Sequence, residues 1–117
     1  MKGYLKTTAG FVLSATMASV SHADVTIGEL QGFTGPLESM IGAMSGGANL
    51  AVTEANASGN YLQGTINVVQ GDSVCIDPAV AIAQAEKMIN DDNVMAIMGP
   101  NCSGNTGAVI TNVLVPN

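Results

Sequence analysis

The chain has 117 residues, with 3 Lys and Arg against 9 Asp and Glu, a net charge of −6 and a pI near 4.2. That balance lacks the basic footprint nucleic-acid binding needs and the Lys/Arg face that holds proteins on anionic lipid. With 47% apolar residues and a mean hydropathy of +0.35, disorder is excluded, and the length allows one modest domain.

Residues 1–23 have the form of an address. Lys2 and Lys6 precede an apolar stretch, Ala9 to Val20, and Ser21-His22-Ala23 puts small residues at the −3 and −1 positions of a cut after Ala23. A membrane anchor is the alternative, but the stretch is short for about 30 Å of hydrocarbon and is interrupted by Ser14, Thr16 and Ser19. A cleaved secretory signal is therefore expected, and with it export. No Cys follows the cut, so no lipid anchor is indicated. The remaining 94 residues, 24–117, hold one Lys, nine acids, no His and no Arg. Imidazole catalysis, His-type zinc sites and arginine clamps on phosphate are all absent from that segment. No cofactor is expected.

Val25 to Leu30 alternates with a period near two and predicts a strand. Gly32–Pro36 breaks it. Leu37, Met40, Ile41, Met44, Ala48, Ala51, Val52 and Ala55 then recur at helical spacing, and Gly59 marks the helix end. Gly46-Gly47 inside that helix predicts close packing against a neighbouring backbone, since each Gly otherwise costs about 1 kcal/mol. Thr65–Val69 is a second alternating strand. Asp77-Pro78 is a helix start, with Asp as cap and Pro at the first helical position. Ile82, Ala85, Met88 and Ile89 mark that helix's buried face. Asp91-Asp92-Asn93 reads as a turn, and the run Val94–Met98 as a strand covered on both faces. A loop, Gly99–Gly104, leads into a third helix from Thr106 to about Val113, with Pro116 beyond it.

Strand and helix alternate three times. That predicts an α/β protein: a parallel open sheet with flanking helices and right-handed crossovers. In such sheets ligands bind beyond the carboxyl ends of strands where the strand order reverses. If the first strand is central, the loops there are Gly32–Pro36 and Gly99–Gly104. Three strands make a thin sheet, so a truncated piece of a larger protein is expected over a small complete domain.

Cys75 and Cys102 are 27 positions apart, which fits neither a Cys-x-x-Cys redox motif nor a four-ligand zinc site. In an exported chain, two cysteines favour one disulfide over two buried thiols. A loop of that size constrains the unfolded chain by about 3–4 kcal/mol in the entropy model. Asp72 and Asp91-Asp92 have no third oxygen ligand at calcium-loop spacing and read as solvated turns. Gly99–Gly104 looks like a phosphate cradle, but no Lys follows it.

Several stretches in the right order are familiar. They are Asp24–Gly28; Phe33–Leu37; Gly47-Ala48 with Leu50-Ala51; Glu54–Asn56; Asp72–Pro78 leading into Ala79–Ile89; and Ile97–Ser103. Together they resemble periplasmic binding proteins of the branched-chain amino acid type, over essentially all of 24–117. The resemblance implies a partial first lobe of a type I periplasmic binding protein fold. It implies a two-lobed, hinge-closing receptor that passes a small amino acid or amide to a membrane ABC permease. The partners implied are that solute and that permease, with no nucleic acid and no direct membrane insertion after cleavage. The resemblance also implies that Cys75 and Cys102 are bonded, and that Ser103 binds the ligand carboxylate by hydroxyl and backbone N–H, with Gly104 beside it. Met40 falls where many relatives place an aromatic over the ligand side chain; ordinary helix core is the alternative for Met40, and a helix cap for Ser103. The competing function is a small secreted α/β hydrolase using Ser103 or Cys102. With no His after residue 23 to activate a nucleophile, a non-enzyme is expected.

Overall fold

Residues 23–60 and 64–116 are described by the computed structural model of the chain. All of the expected leader except Ala23 lies outside the described residues. The elements run β1 (Val25–Gln31), α1 (Glu38–Ser58), β2 (Ile66–Asp72), α2 (Pro78–Asn90), β3 (Ala96–Met98) and α3 (Ser103–Val109). A π-helical turn, Ile110–Leu114, continues α3. The sheet order is β2-β1-β3, with both pairings parallel. Val25 pairs with Ile66 and Gln31 with Asp72 on one side, and Ile27 pairs with Ala96 and Glu29 with Met98 on the other. The expected parallel sheet is formed, and the condition that the first strand be central is met.

The core lies on one face of the sheet. Leu30 is buried with Ala81, Ala85 and Met88 of α2, Val109 of α3 and Val113 of the π turn, and Ile82, Ile89, Val94 and Ile97 pack around them. The period-two alternation of β1 puts Glu29 on the other face, under α1. Glu29 is fully buried. Its Oε2 accepts from Ser45 Oγ at 3.0 Å and from Gln70 Nε2 at 2.9 Å, and Asn49 Nδ2 donates to Ser45 Oγ at 3.3 Å. Thus α1 meets the sheet through a polar layer as well as through Ile41.

The helix ends follow local chemistry. Asp77 Oδ1 accepts from Ala79 N–H at 2.9 Å, and Pro78 opens α2, as expected. Gly59, at φ 68°, ends α1. Asn56 then ties α1 to β2 by bonding both backbone groups of Ile66, at 2.9 Å each.

Three expectations are corrected. Nothing lies within 4 Å of where a Cβ would stand at Gly46 or Gly47, so these glycines face open space and not a neighbouring backbone. The run Val94–Met98 forms a strand only at Ala96–Met98, and it is not covered on both faces, with Met95 74% and Met98 40% exposed. It is a sheet edge, with no strand on its far side among the described residues. There Ile89, Val94, Met95, Ala96, Ile97 and Leu114 line an open apolar groove of about 210 Å³. Finally, α3 begins at Ser103, three residues earlier than expected, because Cys102 takes the cap position in extended conformation.

Candidate functional site

The chain leaves β1 toward α1 on one face of the sheet and leaves β3 toward α3 on the other. Strand order reverses between them, which opens a crevice at their carboxyl ends. The groove beside β3 described above lies at the strand's opposite end and is lined by apolar side chains.

Three loops meet at this edge and are pinned together. Cys75, after β2, is bonded to Cys102, after β3, with Cα atoms 5.5 Å apart. Gly32, after β1, donates its N–H to Asn101 Oδ1 at 3.0 Å. Asn105, buried on α3, donates from Nδ2 to the Ser73 carbonyl at 2.8 Å, and Ser73 N–H donates to the Gln31 carbonyl at 2.7 Å. Gly99, at φ 117°, has the backbone of Leu30 where a Cβ would stand, so only glycine lets the chain turn out of β3 here.

Asp72 holds the loop after β1 from the other side. It accepts from Thr34 Oγ1 at 2.6 Å, Thr34 N–H at 3.3 Å and Val74 N–H at 2.9 Å. Burial raises its pKa, but these donors together with the Phe33 N–H outweigh it and leave the carboxyl below its ordinary value. The expected solvated turn at Asp72 is therefore a clamp between two loops. At the other acidic turn, Asp92 forms an ion pair with Lys87 at 2.7 Å. Among the described residues no cluster of three His, Cys, Asp or Glu side chains could hold a metal ion.

Ser103 and Gly104 occupy the first turn of α3, and both are exposed. The Ser103 hydroxyl makes no cap bond and no other hydrogen bond among the described residues, so the alternative of a capping serine is overturned. The first N–H groups of a helix have no carbonyl of their own helix to bond. The exposed first turn of α3 thus carries a hydroxyl and N–H groups with no internal partner among the described residues, a donor set suited to a carboxylate. Met40 lies in the first turn of α1 at the same edge and is 58% exposed, so it is not helix core. The disulfide removes Cys102 as a nucleophile.

Sequence reasoning placed the reversal point and its two loops. It missed Asn101 as a clamp, although a polar residue two positions before Ser103 in a Gly-Pro turn was visible. It also missed Glu29, whose signal was an acid inside an apolar alternating strand.

A parallel open sheet whose strand order reverses between β1 and β3 defines part of a lobe of the doubly wound α/β type. Residues 24–114 match the family model described as periplasmic binding protein, and the chain belongs to that family. It is 32% identical over 114 residues to the Leu/Ile/Val-binding protein BraC3 of Rhizobium johnstonii, covering 97% of this chain and 30% of that protein. It is 37% identical over 87 residues to Leu/Ile/Val-binding protein homolog 7 of Brucella abortus, covering 74% of this chain and 21% of that one. Among solved structures, the branched-chain amino acid transporter substrate binding protein LivJ from Streptococcus pneumoniae, in complex with isoleucine, is 31% identical with a TM-score of 0.71. That match covers 80% of this chain and 26% of the solved one. The chain thus spans less than a third of the length of these relatives. The family comprises substrate-binding proteins of transporters, not enzymes.

Proposed function

We propose that this chain is the ligand-contacting part of one lobe of an exported receptor for a branched-chain or related amino acid, or a small amide, which it hands to a membrane ABC permease. Export by cleavage after Ala23 goes with this reading, as does residues 24–117 forming an incomplete first lobe. Ser103 takes the ligand carboxylate through its hydroxyl and backbone N–H, the Gly104 N–H adds a second backbone donor, and Met40 packs beside the ligand side chain. Closure of a second lobe over this edge completes the site.

The observation that carries the reading is the exposed Ser103 hydroxyl, free of any internal bond, at the point where strand order reverses. The relatives' printed names and the isoleucine in the solved neighbour support the choice of solute. Substituting Ser103→Ala in the full-length protein removes a hydrogen bond to a charged group, worth about 1.5–3 kcal/mol, or roughly a 10- to 150-fold weaker Kd for L-isoleucine. Calorimetric titration measures it, and an unchanged Kd would refute the assignment.

A further inference from the structure

We propose that Asn101 is a positioning residue for the carboxylate site: its side-chain oxygen fixes the loop after β1 to the loop that carries Ser103. This rests on the reading of Ser103 as a ligand contact.

The backbone pairing of β1 with β3 ends at Glu29 and Met98. Beyond that register the two chains diverge to opposite faces of the sheet, and no ladder bond holds them together. The Gly32 N–H to Asn101 Oδ1 bond, 3.0 Å long and spanning 69 residues of sequence, joins them there. Its donor is a backbone N–H, so the acceptor must be the amide oxygen of Asn101, and that fixes how the side chain is turned. Asn101 Nδ2 is then buried with no partner. A buried unpaired donor is costly, so the side chain earns its place through Oδ1 alone.

Gly32 is also where the third loop arrives: a Cβ there would stand 3.4 Å from Cys75 Cβ. Asn101 is therefore tied to β1 through Gly32, and the next residue, Cys102, is tied to the loop after β2 through Cys75. Ser103 follows both anchors directly. Losing the Asn101 bond leaves the disulfide intact but frees the loop to move relative to β1, and so relative to the α1 end that bears Met40. Asn101 acts through Ser103 and need not touch the ligand.

The test uses the full-length protein, L-isoleucine as the probe and amide hydrogen exchange read by NMR. In the unsubstituted protein the Gly32 amide is expected to be protected at least tenfold relative to an open loop amide, because it is hydrogen-bonded and buried. Asn101→Ala is expected to abolish that protection and weaken isoleucine binding about tenfold, as loss of one positioning bond would. Asn101→Asp retains the acceptor oxygen and is expected to keep Gly32 protected. In a Ser103→Ala background, Asn101→Ala is expected to add clearly less than its full tenfold, since the hydroxyl is gone and only the backbone N–H groups of residues 103 and 104 are left to position.

Unprotected Gly32, or a full tenfold loss added on top of Ser103→Ala, overturns the proposal. So does an unchanged Kd in Asn101→Ala while Ser103→Ala weakens binding, which leaves the Ser103 reading standing. An unchanged Kd in Ser103→Ala overturns the underlying reading, and the proposal falls with it. If Asn101→Ala does not fold, the Gly32 exchange rates in the unsubstituted protein and in Asn101→Asp decide.

Discussion

Asp72 shows how much of the site's rigidity is held in single side chains. Its carboxylate receives Thr34 and Val74, so the ionised form is favoured in the fold and its pKa lies below the ordinary 3.8. The sign of the linkage follows: this contribution to stability is fully present above the ordinary carboxylate pKa and is lost as pH falls through the lowered folded value. Asp72→Asn in the full-length protein should therefore lower the melting temperature at neutral pH and flatten its pH dependence below about pH 3.8. An identical profile in the variant would show that Asp72 does not hold the loop. None of this was legible in the sequence, where Asp72 is one acid near a turn. Its partner Thr34 lies 38 residues away, and only folding brings them together. Ser103 could be singled out as a candidate because the residues around it carry a specific pattern; its ligand role is the reading proposed above. Asn101 was not legible, because its partner is a backbone N–H that no side-chain pattern announces.

At the scale of elements, local signals that cap or turn the chain were readable, while signals that depend on a neighbour were not. Asp77-Pro78 and Gly59 act within one turn of backbone and did what their chemistry dictates. Gly46-Gly47 needed a neighbour to be interpreted, and among the described residues no atom comes near. The helix α1 shows the same division. Its apolar spacing correctly gave a helix, yet of its apolar residues only Ile41 is buried, while Met40, Met44 and Leu50 are exposed. Much of its attachment comes instead from the Glu29–Ser45–Gln70 layer. Ser45→Ala strips one donor from the buried Glu29 carboxylate, and the expected cost is about 1–3 kcal/mol in chemical denaturation of the full-length protein. An unchanged midpoint would mean that this layer contributes nothing to holding α1.

At the scale of the whole molecule, the alternation of strand and helix predicts a parallel sheet, and the structure has it, with β1 in the central place that the alternation alone left open. The extent of cover was harder to read. A continuous apolar run such as Val94–Met98 signals a doubly covered strand only when the covering layers exist, and here β3 is a short, exposed edge. An unpaired edge beside an apolar groove, together with the exposed methionines of α1, favours self-association. Residues 24–117 expressed alone should associate in a concentration-dependent way in light scattering. A monomer with one cooperative unfolding transition would contradict that expectation.

The central claim is that the first turn of α3 binds a carboxylate. It is tested most directly by titrating the full-length protein with L-isoleucine and with L-isoleucine amide, which differ only at that group. The amide is expected to bind at least about tenfold more weakly, through loss of charge-assisted hydrogen bonds, and Ser103→Ala is expected to narrow the difference. Equal affinity for the two ligands, or no binding of isoleucine, leucine or valine, would contradict it.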